Sequence, residues 1–234
     1  MVLVGGLGTR LRPLTYVVPK PMLPIAGKPL LEHTVNYLKE HDITDVVLCV
    51  AYLKRQIMDY FKDGSSLGVK IRYAEADVPL GTAGQLRTAV EMIHDTFLAM
   101  NGDIVTSLNL TGLMEFHARN KGIGSIALKK YEVKIPYGYV EISQPESVVM
   151  RFQEKPSLSY LANAGIYVFE RRVFDFIPPN KVVSLETEVF PKLISSGERL
   201  HGYYEDAFWA DIGDLQDYEK ADSDVLKTTL GKVQ

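Results

Sequence analysis

The chain has 234 residues, 46% of them hydrophobic and 24% charged, with a formal net charge of -3. A chain of that length buries a sizeable core and fits one large domain. The charge leaves no basic footprint for a nucleic acid, no apolar run reaches the ~18 residues of a membrane span, and a single cysteine, Cys49, excludes an internal disulfide.

Met1 to Val4 reads as a short apolar strand that runs into Gly5, Gly6 and Gly8. Lacking a Cβ, such a loop can take φ > 0 and bring bare N–H groups close to an anion. Thr9 and Arg10 follow, and Lys20 lies beyond a proline-rich stretch. Arginine offers a planar fork to phosphate oxygens and lysine a compact point charge. The segment reads as a polyphosphate cradle. It is not a P-loop, which needs Lys-Ser/Thr directly after its last glycine, nor a dinucleotide fingerprint. Pro13, Pro19, Pro21 and Pro24 keep the chain extended after the loop, because proline lacks the N–H and clashes with a preceding helical turn.

Leu30 to His41 has apolar residues at helical spacing and predicts an amphipathic helix. Val46 to Ala51 predicts a buried strand holding an inert Cys49. Leu53 to Phe61 predicts a helix, Val69 to Ala74 a strand, Ala83 to His94 a helix, Phe97 to Met100 a strand and Thr111 to Asn120 a helix. Then the pattern changes. Strands are predicted at Ser125 to Glu132, Gly138 to Ile142, Val148 to Glu154, Asn163 to Phe169 and Leu200 to Tyr204. Leu185 to Ser195 predicts a helix kinked by Pro191, and Leu215 to Leu226 a final helix. His33, His41, His94, His117 and His201 lack metal-ligand spacing. His33, His41, His94 and His117, which fall on predicted helices, are expected in surface or cap roles. Tyr137, Tyr139 and Tyr167 are expected in strand core or wall.

Alternating strands and helices in the first half imply an α/β fold: a Rossmann-like, mostly parallel sheet flanked by helices. The second half adds a mixed, β-rich part along one side of a cleft. Ligands in such sheets sit at the carboxyl ends of the strands. The Gly5 loop, the Glu75–Gly84 segment and Asp103 all follow strand ends and converge there.

Six segments in order resemble the sugar nucleotidyltransferases, also called nucleoside-diphosphate-sugar pyrophosphorylases. They are the Gly5–Lys20 region, Pro79-Leu80-Gly81-Thr82-Ala83-Gly84, Asn101-Gly102-Asp103, Phe152-Gln153-Glu154-Lys155-Pro156, Asn163-Ala164-Gly165-Ile166-Tyr167 and Trp209-Ala210-Asp211-Ile212-Gly213. The resemblance implies a glycosyltransferase-A-like catalytic domain over 1–234, with a nucleotide-binding half to about 122 and a sugar-phosphate-binding half after it. The hexapeptide β-helix that follows in many relatives is not expected. The implied reaction joins a nucleoside triphosphate to a sugar 1-phosphate and releases pyrophosphate. By resemblance, Arg10, Lys20, Asp103, Lys155 and Asp211 are catalytic, and Asp103 and Asp211 hold Mg²⁺. Gly5, Gly6, Gly8, Thr9, Glu75, Gly81 and Thr82 bind the nucleotide, and Gly138, Glu154 and Asn163 the sugar. A carboxylate at Glu75 can accept from both N1–H and N2–H of guanine, whereas an amide suits uracil or thymine better. Gln85 carries an amide but lies past the turn. The opening loop and the Pro79 turn most resemble mannose-1-phosphate guanylyltransferases, so GTP and mannose 1-phosphate are the expected substrates. Thymidylyl or uridylyl transfer to glucose 1-phosphate is the alternative, and a non-catalytic sugar-nucleotide-binding subunit is a third reading. No nucleic-acid or membrane partner is expected, the location is expected to be cytoplasmic, and a homo-oligomer is left open.

Overall fold

The computed structural model describes residues 1–221. In chain order its strands are β1 (Val2–Leu3), β2 (Pro24–Ile25), β3 (Lys28–Pro29), β4 (Asp45–Val50), β5 (Lys70–Glu75), β6 (Phe97–Asn101) and β7 (Ile104–Thr106). They continue as β8 (Gly124–Lys134), β9 (Tyr139–Ile142), β10 (Val149–Gln153), β11 (Ser157–Phe169), β12 (Leu200–Tyr204) and β13 (Trp209–Asp211). The α-helices are α1 (Leu30–Glu40), α2 (Lys54–Phe61), α3 (Gly81–Thr88), α4 (Leu110–Asn120) and α5 (Phe190–Ser195).

Seven strands form one sheet in the order β12-β8-β11-β6-β1-β4-β5. The run β6-β1-β4-β5 is parallel throughout, and β12 is parallel to β8. Only β11 runs against its neighbours, β6 and β8. This is the mixed α/β architecture that the alternation of elements implies. The sheet runs through both halves of the chain without a break.

Strand β4 shows how the sequence builds the two layers. Its residues Val46 to Val50 are all buried, the continuous apolar run of a strand covered on both faces. Val46, Leu48 and Val50 pack with Leu31, Val35 and Leu38 of α1 and with Ile57 and Phe61 of α2. Val47 and Cys49 face the other way, towards Ala83 and Leu86 of α3 and Leu193 of α5. Each of these larger aliphatic side chains contributes about 1.5–3 kcal/mol of burial free energy. Burial also pushes the Cys49 thiol up to about 12, so it stays protonated and inert at neutral pH.

Several elements differ from expectation. Strand β11 begins at Ser157, six residues earlier than predicted, because β8 and β11 continue past the sheet as a two-stranded ribbon. Lys129 to Lys134 pair there with Ala162 to Ser157, and the β9–β10 hairpin tips the ribbon. Helix α3 stops at Thr88, and a separate 3-10 turn covers Val90–Met92. The helix expected at Leu185 to Ser195 is one continuous helical run, but its first turn, Leu185–Val189, is π-helical and passes directly into α5, with Pro191 just beyond the junction. His117 is buried rather than a surface residue. Its Nδ1 lies 2.9 Å from Ser125 Oγ and its Nε2 3.1 Å from Glu170 Oε1, which satisfies both ring nitrogens. Tyr167 is core, but Tyr137 and Tyr139 are exposed on the hairpin. Residues 215–221 are helical; the rest of the helix predicted to Leu226 lies outside the described residues.

Candidate active site

Strand β1 lies between β4 and β6, and its carboxyl end opens into the glycine loop. The first turn is held from both sides: Val4 N donates to Cys49 O at 3.0 Å, and Gly5 N donates to Gln85 Oε1 at 2.8 Å. Gly8 has φ +60°, the left-handed conformation that favours glycine. Its carbonyl accepts from Thr15 Oγ1 at 2.7 Å. The 3-10 turn Thr9–Leu11 then presents Arg10.

The neighbouring strand β6 ends at Asn101, and Gly102 N donates to Leu3 O at 2.9 Å. The turn into β7 carries Asp103. Strand β13 pairs antiparallel with β7, setting Asp211 opposite Ile104, and Ile212 N donates to Asp103 O at 3.0 Å. Two aspartates distant in sequence thereby become neighbours. Arg10, Asn101, Asp103, Asn163, Trp209 and Asp211 line one cavity of about 240 Å³. A second, of about 170 Å³, lies among Gly6, Lys20, Thr82, Gln85, Asn101 and Asp103. Asp103 belongs to both.

Charge and burial are unevenly matched here. Lys20 is buried and its Nζ lies 2.6 Å from Asp103 Oδ2. Asp211 Oδ1 and Asn101 Oδ1 are buried without a hydrogen-bond partner among the described residues. Burial, and then the charge of Asp103, pushes the Asp211 carboxyl above its usual range. A divalent cation would satisfy the orphaned oxygens and relieve the repulsion. The donors are all hard oxygens, which suits Mg²⁺, an ion that takes one or two carboxylates and completes its octahedron with phosphate oxygens and water. Among the described residues no group of three or more His, Cys, Asp or Glu side chains could hold a metal, so a closed all-protein cage is not what these residues form.

The remaining candidates divide. Thr82 lines the Lys20 cavity, and its hydroxyl donates to Glu186 Oε2 at 2.8 Å and accepts from Leu185 N. Gly81 opens α3 where a Cβ would stand 2.5 Å from Val183 O. Asn163 Nδ2 donates to Tyr167 OH, which donates to Glu186 Oε1. Glu186 thus ties the Gly81-Thr82 turn to Asn163, and neither it nor Gln85 is among the sequence candidates. Glu75 stands apart from these cavities. Its Oε2 lies 3.2 Å from Lys54 Nζ, and it lines a separate cavity with Arg87 and Glu91. Gly138, Glu154 and Lys155 group at the ribbon tip, where a Cβ on Gly138 would lie 3.2 Å from Glu154 Oε2. None of the three is among the residues that line the two cavities holding Asp103.

Known proteins are similar to this chain in sequence and fold. Mannose-1-phosphate guanylyltransferase of Mycobacterium tuberculosis is 38% identical over 97% of this chain and 64% of its own length. UTP–glucose-1-phosphate uridylyltransferase of Synechocystis is 35% identical over 100% of this chain and 65% of its own length. The chain therefore spans just under two thirds of these curated relatives. The crystal structure of HddC from Yersinia pseudotuberculosis matches with a TM-score of 0.76 and 27% identity, covering 96% of this chain and 97% of that one. The same protein complexed with GMP-PN matches with a TM-score of 0.76 at 26% identity. A family model described as nucleotidyl transferase matches residues 1–228, and the chain belongs to that family.

Proposed function

We propose that this chain transfers a nucleoside monophosphate from a triphosphate to a sugar 1-phosphate, releasing pyrophosphate. The observation that carries the reading is the convergence of Arg10, Lys20, Asp103 and Asp211 on the cavities at the end of β1 and β6. An oxygen of the sugar phosphate attacks the α-phosphorus in line; the new P–O bond forms as the bond to the β-phosphate bridge breaks. The nucleophile is already anionic at neutral pH, so the protein's task is alignment and charge neutralisation. The glycine loop and Arg10 hold the β- and γ-phosphates, Arg10 neutralising the departing pyrophosphate. Lys20 is placed to share its charge between Asp103 and an α-phosphoryl oxygen. Asp103 and Asp211 would hold Mg²⁺, which when bound adds positive charge beside the transferred phosphoryl group. Removing one such aimed donor typically costs roughly 3–4 kcal/mol of barrier.

Gly138, Glu154, Asn163 and Lys155 form the proposed sugar-phosphate set. Asn163 already faces the cluster; the others would reach it from the ribbon. For the substrates we propose GTP and mannose 1-phosphate, supported by the 38% identity to a protein named for that reaction. The relative named for UTP and glucose 1-phosphate, at 35%, makes uridylyl transfer the competing reading. The deciding experiment measures pyrophosphate release across four triphosphates and a panel of sugar 1-phosphates, with and without Mg²⁺. The expected result is turnover that needs both substrates and the cation, fastest with GTP and mannose 1-phosphate. A folded protein that releases pyrophosphate with no pair would overturn transfer and favour a binding subunit.

A further inference from the structure

One lysine outside the family motifs shares walls with the cluster. Lys129, on β8, is half-buried, and its Nζ sits 4.1 Å from the centroid of the Trp209 ring and 5.4 Å from that of Tyr131. Trp209 is itself fixed, since its Nε1 donates to Ala164 O at 2.8 Å. A cavity of about 410 Å³ lies beside the lysine, walled by Tyr131, Trp209, Asp211, Asp217 and Lys220. Trp209 and Asp211 also wall the cavity that contains Arg10, Asp103 and Asn163, so the two spaces meet at Asp211. Next along the strand, Lys130 pairs with Glu132 at 2.8 Å. Lys129 has no carboxylate partner among the described residues. Burial, and then the charge of Lys220, lowers its affinity for its proton, as expected where two ammonium groups face one space.

We infer that Lys129 binds the phosphate of the sugar 1-phosphate and holds the nucleophile beside Asp211. The inference rests on the nucleotidyl-transfer reading above. A lysine serves phosphate as a point charge, and the flanking rings stabilise a cation without neutralising it as a carboxylate would. Asp211 and Asp217 of the same lining carry the opposite sign, so the lysine charge is what admits an anion there. The rings of Trp209 and Tyr131 leave an apolar wall for the sugar.

The test compares wild type with Lys129→Met and Lys129→Arg, using steady-state kinetics and calorimetric titration with sugar 1-phosphate and with the free sugar. Methionine keeps an apolar stem on Trp209 and removes the charge, so both variants should melt with the wild type. Lys129→Met should raise the KM for sugar 1-phosphate about 10- to 100-fold, the loss expected of one charge-assisted hydrogen bond. The KM for the triphosphate should stay within about twofold, as befits a contact made to one substrate only. Lys129→Arg should recover part of the loss. The calorimetric preference for sugar 1-phosphate over free sugar should shrink in Lys129→Met. An unchanged KM for sugar 1-phosphate, or equal losses for both substrates, would overturn the assignment. A wild type without turnover on any pair would sink the transfer reading instead. The titration then decides Lys129 alone, and equal sugar 1-phosphate binding by wild type and Lys129→Met would overturn it.

Discussion

Gly102 stands between Asn101 and Asp103 at the point where β1 and β6 are closest to the site. A Cβ built there would lie 2.4 Å from Val4 Cγ1 and 2.9 Å from Leu3 O. Neither atom yields easily. Valine is stiff at χ1, and Leu3 O already accepts from Gly102 N. Gly102→Ala must therefore part the end of β1 from the end of β6. The glycine loop leaves one strand and Asp103 the other, so both halves of the phosphate site shift. Overpacking of this kind costs about 1–3 kcal/mol. For a domain of this size each kcal/mol lowers Tm by about 2–4 °C, giving an expected loss of about 2–12 °C. Turnover should fall about 100-fold, since a displacement of about 1 Å at a reacting centre has that effect. Gly6→Ala is the internal control for stability alone, because a Cβ at Gly6 meets nothing within 4 Å although the residue belongs to the phosphate loop. Thermal melting reads both variants, and pyrophosphate release reads Gly102→Ala. A Gly102→Ala protein that melts and turns over like wild type would refute the packing argument, as would a Gly6→Ala protein whose Tm falls as much.

The Asp211 carboxyl is held above its ordinary value by burial and by Asp103. Such a group binds protons more tightly folded than unfolded, so the metal-free protein should lose stability as pH rises from the ordinary carboxylate value of about 4 through the folded value. Asp211→Asn should abolish that loss and raise the Tm of the chelated protein at neutral pH, while turnover collapses; Mg²⁺ should raise the Tm of wild type but not of the variant. Identical pH–Tm curves for wild type and variant would count against the pair as a cation site. Gln85→Leu leaves the buried Gly5 N–H without its 2.8 Å acceptor, which should destabilise by about 1–3 kcal/mol and raise the KM for the triphosphate; a urea titration and KM equal to wild type would show the bond to be dispensable. Glu75 lies outside the phosphate cavities, beside Lys54, and its proposed role at the base is tested separately: Glu75→Gln should lower the ratio of kcat/KM for GTP over UTP, the result of setting an NH₂ against a guanine donor, and an unchanged ratio would remove Glu75 from base selection. Arg10→Ala should mainly slow the chemical step, whereas Lys155→Ala should weaken use of the sugar phosphate; loss of triphosphate affinity in Lys155→Ala would reverse those two roles.

What could be read in advance follows from the range of the interactions involved. Strand–helix alternation and the all-buried β4 are local patterns, and a parallel sheet brings its strand ends together whatever their spacing in sequence. Gly5 and Asp103 could therefore be placed at one edge before any coordinates. Local pattern does not place Asp211, which only the family resemblance sets beside Asp103. Its position depends on β13 pairing with β7, an antiparallel contact of three residues joining distant parts of the chain, and neither strand has a periodicity of its own at that length. Gln85 and Lys129 carried a usable signal of another kind. Gln85 is the polar member of the run Ala83, Gly84, Gln85, Leu86, all buried, and Lys129 continues the alternation from the fully buried Ala127 on the core face of β8. A polar or charged residue at a position that the local pattern assigns to the core must find a partner. For Gln85 the partner is Gly5 N, and for Lys129 it is the ring of Trp209 with room left for an anion. The same rule accounts for His117, which shares the buried face of α4 with Leu110 and Leu113 and finds its partners in Ser125 and Glu170. Polar residues at core-facing positions are thus the ones whose polar atoms are satisfied from another element, and at the end of β1 and β6 those elements are the walls of the site.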